Sequence, residues 1–140
     1  MRKLRLVVAA LAATLFLSSC SMIPGLGSQT GIQACAAVSD SMQKAASTFS
    51  SALTSAANDP KAASVALDQL ITDITASRAK VTNADVGAAM DKATAAIKKL
   101  SDEFKAAGGN PTSLNSDKVS AATDEVSQAM QDFATACTKI

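Results

Sequence analysis

The sequence predicts an all-α protein, an antiparallel up-down-up-down four-helix bundle. Three observations lead there. From Ile32 onward, four consecutive stretches repeat their apolar residues at spacings of three and four, which places them on one face of a helix. No stretch alternates strictly between apolar and polar residues, as a half-buried strand would. Alanine, the strongest helix former, fills many of the inner positions, and short connections between the first three stretches make successive helices antiparallel neighbours.

The first helix covers residues 32–58. Its Cys35, Val38, Met42, Ala45, Phe49, Ala52 and Ala56 are separated by 3, 4, 3, 4, 3 and 4, a single inner seam. The seam stops at Asn58-Asp59-Pro60. Asp59 accepts from the free N–H groups of a new helix, and Pro60 fits its first position because the N–H that proline lacks would be unpaired there. In the second stretch Ala63, Leu67, Leu70, Ile74 and Val81 share a face, with Ile71 widening the stripe and Ser77 filling the gap. Asn83 or Asp85 caps the third, in which Val86, Met90, Ala93, Ile97, Leu100, Phe104 and Ala107 are spaced 4, 3, 4, 3, 4 and 3. Gly108-Gly109 closes it, since glycine enters the left-handed conformation without steric cost. Residues 110–115, with Pro111, form the longest connection. Asn115 or Ser116 opens the fourth stretch, which carries Val119, Ala122, Val126, Met130, Phe133, Cys137 and Ile140 along its inner side.

Alanine at so many inner positions lets helices approach closely but buries little area. At about 25 cal/mol per Å2 the core contributes modestly, and a covalent constraint would help. Cys35 lies near the start of the first helix and Cys137 near the end of the fourth, which the up-down-up-down topology brings to one end of the molecule. A Cys35–Cys137 disulfide is therefore expected. Closing a loop of about a hundred residues stabilises by up to about 4 to 5 kcal/mol on the chain-entropy account.

The amino end is organised differently. Arg2, Lys3 and Arg5 precede an apolar run at residues 6–17 (LVVAALAATLFL), followed by Ser18, Ser19 and Cys20. The charges hold the amino end on the cytoplasmic side, and the run is too short to cross about 30 Å of hydrocarbon as a helix. Leu17-Ser18-Ser19-Cys20 resembles the lipobox of bacterial lipoproteins, with a leucine three before the cysteine and small residues between. The resemblance implies cleavage between Ser19 and Cys20, a diacylglyceryl group on the Cys20 sulfur and a further acyl chain, such as palmitate, on the new amino end. Two or three chains, at about 0.8 kcal/mol per buried CH2, make anchoring stable. Ser21, rather than Asp, directly after the cysteine resembles lipoproteins forwarded to the outer membrane where there are two membranes. The expected location is thus lipid-anchored at the cell membrane or outer membrane, facing an extracytoplasmic compartment, where a disulfide survives.

Residues 21–31 (SMIPGLGSQTG) have one proline, three glycines, no charge and no helical period. They read as a flexible tether of at most about 35 to 40 Å. The domain organisation expected is a signal peptide at 1–19, lipidated cysteine and tether at 20–31, and the bundle at 32–140.

With 1–19 removed, three of the thirteen basic residues leave, so ten face twelve acidic residues and the net charge is −2. That disfavours a nucleic-acid binder, which needs a basic stripe, and adhesion to anionic lipid by charge alone. The chain has no His, Trp or Tyr. A His-containing triad, a His-ligated zinc or di-iron site and an aromatic stacking platform are excluded within one chain. No cofactor or metal is expected. Asp68 and Asp73, Asp102 and Glu103, and Asp124 and Glu125 are the candidate metal or acid-base pairs, but adjacent positions diverge on a helix. They read as solvated charges, with Asp40–Lys44, Lys98–Asp102 and Lys99–Glu103 supporting their helices at spacing four. No hydroxyl has a histidine partner, no Gly-x-Ser-x-Gly or Ser-x-x-Lys turn is expected around one, the glycines of 25–31 lack the lysine of a phosphate loop, and no catalytic residue is assigned. Met42, Met90 and Met130 read as gap-filling core.

One distribution stands apart. The first helix has only Asp40 and Lys44 as charges, and its outer side holds Ser39, Ser41, Gln43, Ser47, Thr48, Ser50, Ser51, Thr54 and Ser55. The third helix carries eight charges between Asp85 and Lys105. A charge-poor face loses little hydration on docking and suits an envelope protein or wall polymer. The function expected is a non-enzymatic interaction module of a cell-envelope lipoprotein, with the membrane as partner through Cys20. The alternative is a carrier of a small apolar ligand or lipid in a core lined by Met42, Phe49, Met90, Ile97, Phe104, Met130 and Phe133.

Overall fold

Four helices and their connections make up residues 29–138, the part of the chain that the computed structural model describes. The expected signal segment 1–19, Cys20, the tether up to residue 28, and Ile140 of the fourth seam lie outside the described residues. Helix α1 (Gly31–Ala56) starts one residue earlier than the apolar pattern indicates. Thr30 and Gln33 form a reciprocal cap: the Gln33 N–H donates to Thr30 Oγ1 and the Thr30 N–H to Gln33 Oε1, both at 3.2 Å. Gly31 is buried, so the last residues assigned to the tether belong to the fold.

Helix α2 (Pro60–Arg78) begins as expected, with the Ala62 N–H donating to Asp59 Oδ1 at 3.0 Å and Pro60 in the first turn. For α3 (Ala84–Ala106) Asn83 is the cap, accepting from the Val86 N–H at 3.0 Å, while Asp85 sits in the first turn. The helix ends where Gly108 (φ 62°) and Gly109 (φ 88°) turn left-handed. A single 3-10 turn (Pro111–Ser113) then leads to α4 (Ser116–Thr138), opened by Asn115, whose side chain accepts from the Lys118 N–H.

Successive helices pack along their lengths, whereas α1 touches α3 and α4 at few points. The molecule is an all-α four-helix bundle whose α1–α4 side is the least closed. Phe104, Leu67, Met90, Leu100, Val38 and Val86 are its largest fully buried apolar side chains. Alanine supplies much of the rest, including Ala34, Ala89, Ala96, Ala129 and Ala136.

Two groups of expectations need correction. Met130 is not core: it is 36% exposed, and Ala129 takes the inner position. The ion pairs Lys92–Asp132 (2.8 Å) and Lys99–Glu125 (2.6 Å) set the register of α3 against α4 and bring Ala129 level with buried Ala93 and Ala96. Small, buried residues of both helices meet there. Phe49, Val119 and Phe133 are only half-buried, packed against the rim of the core.

The second correction concerns charges. Lys98–Asp102 does form within its helix at 3.1 Å. Lys99, however, reaches across to Glu125, Glu103 receives Lys118 (3.1 Å), and Lys44 turns from Asp40 toward Asp73 (3.9 Å). Antiparallel neighbours set opposite charges closer than the helix's own next turn does.

Candidate functional site

The outer face of α1 is the first candidate. Ser39, Gln43, Ser47, Ser50, Ser51, Thr54 and Ser55 are exposed, while Ser41 and Thr48 are half-buried against α2. Thr54 Oγ1 donates to the Ser50 carbonyl at 3.0 Å and Ser39 Oγ to the Ala36 carbonyl at 3.4 Å, so these hydroxyls are satisfied by their own helix. The result is a face of small side chains, with the Ser39 and Thr54 hydroxyls already bonded to their own helix. Lys44, with a side chain 78% exposed, edges it.

Between α1 and α2 lies a shallow depression of about 210 Å3 lined by Ser41, Lys44, Thr48, Leu70, Asp73 and Ser77 among others. Ser41 and Lys44 stand at Ser-x-x-Lys spacing, which corrects the expectation that no serine has such a lysine. The Lys44 ammonium is aimed at Asp73, and Ser77 Oγ donates to the Asp73 carbonyl at 2.9 Å. Neither hydroxyl is given a base. A second depression of about 250 Å3, lined by Asp85, Ala88, Ala89, Lys92, Asp132, Thr135 and Ala136, is bridged by the Lys92–Asp132 pair.

The acidic candidates are separated by the fold. Asp68 of α2 joins Ser101 and Lys105 of α3: Ser101 Oγ donates to Asp68 Oδ1 at 2.7 Å, with the Ser64 carbonyl 3.3 Å away, and Lys105 Nζ lies 2.8 Å from Asp68 Oδ2. The Lys105 bond, then the Ser101 bond, hold the Asp68 carboxyl below its ordinary range. Ser101 is fully buried while the Asp68 and Lys105 side chains are about half exposed, so this cluster ties α2 to α3 at the edge of the core. Its sequence signal was a serine on the inner stripe between Ile97 and Phe104. Among the described residues no group of three or more His, Cys, Asp or Glu side chains could hold a metal ion, and no helix is long and apolar enough to cross a membrane.

The end of the molecule at which α1 starts is the most elaborately built. Cys35 and Cys137 are joined as a disulfide across 102 positions of sequence, with Cα atoms 5.6 Å apart. Gln29, assigned by sequence to the tether, is clamped to the α2–α3 turn. Its N–H donates to Thr82 Oγ1 (3.3 Å) and its Nε2 to the Lys80 carbonyl (3.2 Å). In return the Thr82 N–H donates to Gln29 Oε1 (2.9 Å) and Asn83 Nδ2 to the Gln29 carbonyl (2.8 Å). No periodic signal marks a residue that lies before a helix, which is why Gln29 escaped notice. Compared with protein families, curated proteins and solved structures, the chain matches none.

Proposed function

We propose that the chain is exported, cleaved before Cys20 and held on the outer face of a membrane by acyl chains on that residue, with the bundle acting as a non-enzymatic interaction module. The observation that carries the reading is Leu17-Ser18-Ser19-Cys20 directly behind a charged and then apolar amino end. The Cys35–Cys137 disulfide supports it, because such bonds persist in oxidising compartments and are rare in the cytosol. The interaction role rests on α1, whose serine- and threonine-rich side is exposed and nearly free of charge. A carrier role has less support. Met90 and Phe104 are fully packed, Met130 points outward, and the two depressions described above are shallow.

Growth with a labelled fatty acid tests the anchor. Label is expected on the wild-type chain and in the membrane fraction, with Cys20→Ala unlabelled and released; a wild-type chain without label overturns the reading. For the interaction role, Ser47→Lys, Ser51→Lys and Thr54→Lys together should abolish cross-links formed from α1 in living cells. Cross-links unchanged by three added ammonium groups would remove α1 as the contact face.

A further inference from the structure

Gln29 decides where the chain leaves the bundle. Four hydrogen bonds hold it against Lys80, Thr82 and Asn83, so the chain between the proposed anchor and the bundle is the span from Cys20 to Gln29. Nine residue steps reach at most about 30 Å. Helix α1, with 26 residues, is itself about 39 Å long. A lead of that length keeps the near end within about 30 Å of the anchor, whereas the far end can stand about 39 Å further away. The near end comprises the start of α1, the α2–α3 turn and the close of α4; the far end comprises Asn58, Asp59 and the glycine turn, where Gly109 approaches Lys61.

The near end also carries what a lipid surface accepts. Ile32 is 56% exposed although it is a large β-branched apolar residue. Lys80 is exposed and forms no ion pair among the described residues. Arg78 beside it is occupied by Asp91 at 3.1 Å. An apolar side chain and an ammonium group exposed at one end of a bundle suit the boundary between acyl chains and phosphates. We propose that the end of the bundle bearing Ile32 and Lys80 rests on the headgroup layer of the membrane, positioned by Gln29. The proposal rests on the anchoring reading above and needs no attraction from net charge, which is −2 without residues 1–19.

The test uses the full acylated chain on phosphatidylcholine vesicles containing a headgroup-attached quencher. A fluorophore is placed through Ala84→Cys at the near end or Ala57→Cys at the far end, both exposed, with the native disulfide intact. The sites are separated by about the length of the 23-residue α3, about 35 Å, and the near label should be quenched at least about fivefold more. Ile32→Asp with Lys80→Glu should bring the two labels to within about twofold while the chain stays on the vesicles, because the acyl chains suffice for anchoring. Gln29→Ala should move the ratio in the same direction by freeing the lead. Equal quenching of the two labels on acylated, vesicle-bound wild-type chain overturns the proposal and leaves the anchor standing. A ratio that survives Ile32→Asp with Lys80→Glu overturns the contact. An intact mass without acyl groups overturns the anchor, and this proposal with it.

Discussion

The guanidinium group of Arg78 lies directly over Gly87: a Cβ on that glycine would stand 2.5 Å from Arg78 Cζ and Nη2. Arg78 closes the α2–α3 turn by donating from Nη1 to the Val81 carbonyl at 2.9 Å and from Nε to Asp91 Oδ1 at 3.1 Å. Glycine inside a helix costs about 1 kcal/mol relative to alanine, so the space for the arginine is kept at the expense of α3. Gly87→Ala should therefore shift stability by less than about 0.5 kcal/mol, gain and loss nearly cancelling, whereas in an Arg78→Ala background it should stabilise by about 0.5 to 1 kcal/mol. Urea unfolding of the four variants measures the coupling. The same effect of Gly87→Ala in both backgrounds would mean that the two residues do not compete for space.

The disulfide joins α1 and α4, which touch far less than consecutive helices do. Consecutive helices share long contacts and several ion pairs, while α1 and α4 share few contacts and no ion pair among the described residues. Cys35→Ser with Cys137→Ser should lower stability by about 2 to 5 kcal/mol, most of it through the unfolded chain. Amide exchange should rise first in the opening turns of α1 and closing turns of α4, because no ion pair among the described residues joins those two helices. Uniform acceleration across all four helices would contradict this account.

Asp68 links the bundle to pH. Lys105 and Ser101 favour its charged form, lowering the folded-state pKa relative to the unfolded chain. A depressed carboxyl contributes stability above its unfolded pKa of about 3.9 and loses it as pH falls through the lower folded value. Stability should thus decline below about pH 4 with a share due to Asp68. Asp68→Asn should cost about 1 kcal/mol near neutrality, discounted for partial exposure, and make the acid limb shallower. Parallel acid limbs for the variant and wild type would falsify the link.

How far the fold could be read depended on what each residue had to decide. Asp59-Pro60 and Gly108-Gly109 punctuate helices through backbone chemistry local to a few residues, and they stand where the sequence placed them. The disulfide was legible because topology alone brings Cys35 and Cys137 together. Gln29 and the cross-helix ion pairs were not, since each depends on which residue of another element arrives opposite. Lys99 had Glu103 four residues along its own helix and took Glu125 of α4 instead. The candidate face on α1 was visible as an absence of charge, but the half-burial of Ser41 and Thr48 required knowing how α2 lies against it.

Met130 and Ala129 supply the sharpest test of that distinction. After Val126 a helical seam continues at either 129 or 130, and size alone favours the methionine. The structure chooses Ala129, 2% exposed, because the register set by Lys92–Asp132 and Lys99–Glu125 places it level with the small residues Ala93 and Ala96 of α3. Met130→Gln should then change stability by less than about 0.5 kcal/mol, as expected of a position outside the packed core. Ala129→Leu adds volume at a buried position between α3 and α4, and should destabilise by about 1 to 3 kcal/mol despite raising hydrophobicity. Thermal or urea unfolding of the two variants decides the matter. If the glutamine proves costly and the leucine harmless, α4 is rotated by one residue from the orientation described, and the inner seam runs through Met130 after all.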